Sequence, residues 1–395
     1  MVDLADPGTF VDAAPHAALA ELRRTTPVYF QVMSGEPGFW AILKHADVVR
    51  VARDPARFSA SEGGVVVENL PDAQLEMMRG MLLAMDPPRH TDYRQAMSQR
   101  FKAQVIGQLE PAIRGICKDI LATAVAKGDV EFVHDVTSAL PSRVVGGLMG
   151  LPEADLAHLH QLAERNTGGQ DDDYASAEPN SASIEMAMYA MAFAADRRRA
   201  PARDDLTSYI LGCDFNGKPM DDIAFATFFV QLVTAGNDTT KTMLSSGLLA
   251  LLEHPGQLAA LRADRSLLAG AVEEILRWAN PLHYFRRTAM ADTDLRGVRM
   301  AKGDKVAMYY TSANRDEDVF EDPARFDIRR SPNPHLSFGI GQHFCLGVHL
   351  ARLEGRVFFD ELLNAFPTIE LTGPPVRVRS NLNNGLKTLP IRLGA

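Results

Sequence analysis

The residue with the most chemistry to offer is Cys345, in the stretch Phe338–Gly347, which reads FGIGQHFCLG. It lies among Gly339, Gly341 and Gly347 and just ahead of an apolar helical pattern expected over Leu346–Phe366. A sulfur at a helix N-terminus faces unpaired backbone N–H groups and the positive end of the helix dipole, both of which favour the thiolate. Glycines let the backbone turn sharply and approach a large flat group closely. The layout suits a buried thiolate bonded to one metal ion, with a flat macrocycle against the loop.

Three other groupings could take part in chemistry. His90 and Arg94, in MDPPRHTDYR, are four residues apart and share one face of a helix that the two prolines start. Such a pair can grip two carboxylate oxygens; taken alone it reads as a solvated helix face. The notch AGNDTT, Ala235–Thr240, places Asn237, Asp238 and Thr239 inside a long apolar pattern. Buried acids and hydroxyls cost free energy unless partnered, and threonines inside a helix bond back to carbonyls and bend it. Ala235 and Gly236 leave room beside the backbone for a small molecule, although by itself the notch is a kink with capped polar groups. Finally, Glu274 and Arg277 share a helical face three residues apart, an arrangement common at surfaces and worth little there.

The elements that must hold these residues are mostly helical. Helices are expected over Pro15–Arg24, His45–Arg53, Gln104–Lys127 and Ile184–Arg199, with one ending near Gly150 and one opening at Pro152. The longest runs from an N-cap at Asp221 or Asp222 to about His254. Strands are expected at Val28–Val32, Phe39–Leu43, Val130–Val133, Tyr284–Met290 and Lys305–Tyr310, with a hairpin-like Asn383-Asn384-Gly385 in the tail. Ser59–Leu83 reads as a mobile flap with a short helix at Asp72–Arg79. Asn166–Ser183, rich in Gly, Asp, Ser, Asn and Pro, reads as a flexible connection. With no composition break and no internal repeat, a single domain over 1–395 is expected.

Composition excludes several classes. The chain has 395 residues, 46% hydrophobic and 23% charged, which suits a soluble protein with a sizeable core. A net charge of −9 argues against nucleic-acid binding. Three scattered cysteines cannot form a disulfide framework and fit a reducing cytosol. No signal peptide or membrane anchor is evident, so a cytoplasmic protein is expected.

The loop residues Phe338, Gly339, Gly341, His343, Cys345 and Gly347 resemble, position by position, the haem-binding loop of the cytochrome P-450 family. The similarity extends from PPRH to LARLEGRVFFDELL. It implies a mainly α fold with small β-sheets, built as one helix-rich haem domain, and haem b (iron protoporphyrin IX) as cofactor. It implies Cys345 as the iron ligand, and His90, Arg94, Arg287 and His343 as partners of the haem propionates. Phe338, Gly339 and Gly347, with Ala235 and Gly236 on the other side, would lie against the ring. Asp238 and Thr239 resemble the family's acid–alcohol pair, which supplies and orders protons. Glu274 and Arg277 match its ExxR motif, completed by Arg325 as a structural ion network. Val65, Val66, Val67, Leu82, Leu83, Leu232, Val233, His283, Tyr284, Phe285, Leu382 and Asn383 would line an apolar substrate pocket.

The activity so implied is a bacterial monooxygenase inserting one oxygen atom of dioxygen into a C–H bond of a terpenoid, steroid or branched lipid. Electrons would come from a separate ferredoxin and NAD(P)H-dependent ferredoxin reductase, and the chain would act as a monomer. Arg89, Arg94, Arg100, Lys102, Arg114 and Lys118 would form the basic docking patch. The alternatives are a peroxide-driven oxygenase, which the acid–alcohol pair disfavours, and a non-catalytic haem-thiolate sensor. A zinc site from His343, Cys345, His349 and His335 has a loosely suitable spacing but does not explain the AGNDTT notch. A dinucleotide fingerprint fails because Phe344 replaces its third glycine.

Overall fold

The computed structural model describes residues 2–168, 170–174, 181–215 and 219–394. Seven helices position the site: α1 (Arg89–Ser98), α2 (Ala139–Met149), α3 (Glu153–Thr167), α4 (Ser181–Arg199), α5 (Asp222–Glu253), α6 (Leu268–Ala279) and α7 (Val348–Ala365). The 32-residue α5 is the axis of the molecule and packs against α2, α3, α4, α6 and α7. Its start is fixed locally, since the Asp221 carboxylate accepts the Ala224 N–H at 2.7 Å. Phe225, Phe228, Phe229, Val233, Leu244 and Leu248 are buried around its circumference, as expected of a helix surrounded by others.

The β structure is minor. A mixed five-stranded sheet has the order β1 (Val28–Met33), β2 (Glu36–Ile42), β5 (Lys305–Tyr309), β4 (Tyr284–Ala289), β3 (Phe58–Ser59). β2 runs parallel to β5, with Phe39 opposite Lys305, and β4 runs antiparallel to β5. The other sheets have two or three short strands. The fold is therefore mainly α with small sheets.

Several boundaries differ from expectation for local reasons. The helix expected over Gln104–Lys127 is two helices, Ala103–Gly107 and Glu110–Val125, because Pro111 opens the second. α7 begins at Val348, with Gly347 as its cap, two residues later than the periodicity suggests. Of the flexible connection expected at Asn166–Ser183, residues 169 and 175–180 lie outside the described ones, while α3 continues to Thr167 and α4 starts at Ser181. The 72–79 helix of the flap forms as expected.

Candidate active site around Cys345

Cys345 lines a cavity bounded by α1, α2, α5, α7 and the Phe338–Gly347 loop. Its N–H donates to Phe338 O at 2.9 Å, closing the loop on itself. Gly339 and Gly341 have φ of +65° and +75°, and a Cβ on Gly341 would meet the Ala52 carbonyl oxygen at 2.7 Å. Glycine is therefore required there. Gly347, expected to help the turn, has an ordinary φ of −84°; a Cβ added to it would meet nothing within 4 Å. Burial pushes the Cys345 thiol up, opposed by the Gly347 N–H bonded to the sulfur and by the charges of Arg94 and Arg352.

Four basic side chains line the same cavity, with no carboxylate in ion-pair contact among the described residues. Both ring nitrogens of buried His90 and the Nε2 of His343 have no hydrogen-bond partner, and the two rings stack obliquely, 4.3 Å between centroids. Burial, with Arg94 and Arg287 nearby, lowers His90 to about 4; burial, with Arg287 and His90, lowers His343 to about 2. Arg287 donates to the Arg286 carbonyl at 2.8 Å, and neither it nor Arg94 pairs with a carboxylate among the described residues. Desolvation pulls both guanidinium groups down. Guanidinium groups drawn out of water without a bonded carboxylate, beside unpartnered imidazole nitrogens, cost free energy, so this set suits an anionic ligand.

Across the cavity, Ala235, Gly236, Thr239 and Thr240 of α5 form the opposite wall. A Cβ on Gly236 would meet Val145 Cγ2 at 2.8 Å, so the small residue lets α5 and α2 close together. The Thr239 hydroxyl donates to Ala235 O at 2.8 Å, leaving its lone pairs able to accept from whatever the cavity holds. Asp238 does not line the cavity. It is 4% exposed and lies 3.0 Å from Lys241 Nζ, which also donates to Glu164 of α3 at 2.9 Å. Burial pushes the Asp238 carboxyl up, with Lys241 as the main opposing influence. Burial would lower Lys241, but Asp238 and Glu164 together raise it. Lys241 and Glu164 were not singled out from the sequence, although the three-residue spacing from Asp238 to Lys241 was visible there.

Behind the loop, Glu274 and Arg277 form a fully buried bidentate pair, at 2.7 and 2.8 Å. Arg277 also donates to the carbonyls of Asn314, Pro323 and Arg325. The expected third member is wrong in its side chain. The Arg325 guanidinium is 62% exposed beside Asp327, and only its backbone carbonyl joins the network. Arg330 takes that place, with Nε 3.2 Å from Glu274, supported by Asn333 and by the Asp327 N–H.

Of the expected pocket residues, Leu82, Leu83, Leu232 and Phe285 line the cavity. Val65, Val66, Val67, Val233, His283, Tyr284, Leu382 and Asn383 do not. Val233 turns into the core, His283 bonds Thr311, and Tyr284 Oη accepts the Val67 N–H and stacks on Tyr309. Asn383 bridges to Leu282 by backbone, so the tail braces the wall and does not enter the cavity. Residues missed from the sequence include Val145, Leu148 and Met149 of α2, Gln231 of α5 and Glu354 of α7. Glu354 is buried, its Oε1 has no partner, and desolvation raises it to about 8, with a Thr240 hydrogen bond opposing.

The zinc reading fails: no group of three or more His, Cys, Asp or Glu able to hold a metal exists among the described residues, and His335 pairs with Glu273. No helix among the described residues is long and apolar enough to cross a membrane.

Cys345 thus lines the same cavity as the small-residue notch of α5, with His90, Arg94, Arg287 and His343 along it, a layout suited to a haem held through sulfur. The chain belongs to the cytochrome P450 family, whose model matches residues 185–393. It is 36% identical over 396 residues to the steroid C26-monooxygenase of Mycobacterium tuberculosis, covering 98% of this chain and 91% of that one. It is 38% identical over 393 residues to a methyl-branched lipid omega-hydroxylase of the same organism, covering 96% and 91%. The structure of Mycobacterium marinum cytochrome P450 CYP268A2 in complex with pseudoionone superposes with a TM-score of 0.93 at 38% identity, covering 100% of this chain and 98% of that one. The enzyme is a monooxygenase of the oxygen-incorporating oxidoreductase class, in a family that carries haem b. The residues present fit that group, with a sulfur for the iron, open space over Gly347, and unpartnered imidazole nitrogens beside the Arg94 and Arg287 guanidiniums for two propionates.

Proposed function

We propose that this monooxygenase hydroxylates a small-to-medium hydrophobic molecule of the steroid, terpenoid or branched-lipid kind. The observation that carries this is the cavity wall. Beyond the haem-facing groups it is made of Leu82, Leu83, Val145, Leu148, Phe228, Leu232 and Phe285, an apolar lining with few anchors. The names of the two mycobacterial relatives and the ligand of the CYP268A2 structure point to the same substrate chemistry.

The haem, when bound, supplies dioxygen activation and C–H oxidation, aided by electron donation from the thiolate. The protein's residues do the rest. Cys345 would ligate the iron, and His90, Arg94, Arg287 and His343 would hold the propionates. Phe338, Gly339 and Gly347 lie on the sulfur side of the cavity, Ala235 and Gly236 opposite. The Thr239 hydroxyl is placed to hold an ordered water or ligand oxygen in the notch. Asp238 serves as a proton store one residue away, kept out of the cavity by Lys241. Glu274, Arg277 and Arg330 fix the segment behind the sulfur.

Electrons would arrive from a separate ferredoxin and its NAD(P)H-dependent reductase. The basic docking patch is smaller than the sequence suggests. Arg94 lines the cavity, Arg114 is neutralised by Glu110, Asp360 and Glu361, and Arg100 pairs with Asp204. Exposed Arg89, Lys102, Lys118 and Phe344 are left for an acidic partner. Three unpaired cysteines suit a reducing cytoplasm, and the chain would act as a single-domain monomer.

The test is product formation from a steroid, a terpenoid and a branched fatty acid with a surrogate ferredoxin and reductase, against hydrogen peroxide alone. Hydroxylated product that requires the electron-transfer proteins supports the reading. Product with peroxide only, or none from any of the three, contradicts it.

A further inference from the structure

One polar side chain in the apolar part of the cavity has no structural employment. Gln231 projects from α5 one turn before Ala235 and two turns before Thr239, and it lines the cavity as they do. At 1.5 Å of rise per residue, it stands about 6 to 12 Å along the helix from the notch. Its Oε1 is buried and has no hydrogen-bond partner. Leu82, Val145, Leu148 and Phe228, which line the same cavity, carry no polar side-chain group that could satisfy it.

A buried amide oxygen without a donor costs free energy in the folded protein, and leucine at the same place would complete the apolar wall at no such cost. A group that is costly to the fold and aimed at a binding cavity is a recognition element. The amide carries both a donor and an acceptor, so it can bond a hydroxyl or a carbonyl equally well. We infer that Gln231 anchors a single hydroxyl or carbonyl group of the substrate, and thereby directs oxidation to a carbon roughly one to two helical turns away. This rests on the hydrophobic-substrate reading above and narrows it to alcohols and ketones with one polar end and a long apolar body.

Spectral titration of the haem-loaded enzyme tests the assignment with two matched pairs: a 3-ketosteroid against its 3-deoxo counterpart, and a branched twelve-carbon alcohol against the corresponding alkane. The wild type should bind the oxygenated member of each pair about 2- to 10-fold more tightly, as one neutral hydrogen bond allows. Gln231→Leu should abolish that ratio while binding the hydrocarbon members at least as well. Gln231→Asn, one methylene shorter, should recover part of it. The product ratio should also shift, with wild type oxidising mainly the end remote from the oxygen and Gln231→Leu giving a mixture. An unchanged affinity ratio in Gln231→Leu, or a wild-type preference for the hydrocarbons, overturns the inference alone. No spectral shift from any of the four probes, in enzyme whose reduced carbon monoxide spectrum is intact, overturns the substrate reading as well.

Discussion

Asp238 and Lys241 lie one helical turn apart on α5, and their 3.0 Å contact turns the carboxyl away from the cavity that neighbouring Thr239 faces. The acid and the alcohol are adjacent in sequence but point to different environments, one to the cavity and one to an ion cluster shared with α3 through Glu164. The two should therefore fail differently.

Thr239→Ala removes the hydroxyl that orders the notch but leaves the acid and its partners in place. Electron consumption should continue at a rate close to wild type, while product per NADH falls several-fold and hydrogen peroxide accumulates. Asp238→Asn leaves the hydroxyl and removes the ionisable group, so turnover should slow by about 10- to 100-fold with coupling largely kept. Oxygen-electrode and product measurements on the same preparations separate the two outcomes. Equal rate and coupling in both variants would remove the assignment.

The Glu274 network makes an ordered stability prediction. Arg277→Ala strands a fully buried carboxylate and should cost about 3–5 kcal/mol. Arg330→Ala, which removes one bond to Glu274, should cost less. Arg325→Ala should be within about 0.5 kcal/mol of wild type, because its guanidinium is 62% exposed. Denaturant unfolding of the haem-loaded variants gives the ranking. A large loss in Arg325→Ala would restore the sequence-based assignment.

Glu354 gives a pH dependence of definite sign. Burial raises it from 4.5 to about 8, so the folded protein holds a proton there that the unfolded chain releases from about pH 4.5 upward. Its contribution to stability is complete below pH 4.5 and is lost as pH rises towards 8. Glu354→Gln should flatten the fall in stability between those values; an unchanged slope would show that the carboxyl is ionised in the fold.

Local features of the site were legible in the sequence because they depend on short-range geometry. The Phe338–Gly347 loop, the His90–Arg94 register, the Asp221 cap and the Glu274–Arg277 pair all lie within a few residues of themselves. Partners across the fold were not legible. Arg325 and Arg330 are five residues apart in one meander, and only the path of the chain decides which guanidinium turns to Glu274. The tie from Lys241 to Glu164 spans 77 residues. Val65–Val67 and Leu382–Asn383 carry the same apolar or small-polar pattern whether they line a cavity or brace its wall. Conversely, nothing in the sequence around Val145, Leu148 and Met149 marks them as cavity wall. An apolar face is the same in sequence whether it packs on protein or on a ligand.

The central claim is that sulfur of Cys345 bonds the haem iron. The direct measurement is the absorption spectrum of the purified, haem-loaded protein, reduced and exposed to carbon monoxide, for wild type and for Cys345→His. Wild type should show the strongly red-shifted Soret band of a thiolate-ligated iron, and Cys345→His should lose it while retaining pigment. A folded, haem-loaded wild type without that band, or a variant that keeps it, would contradict the account.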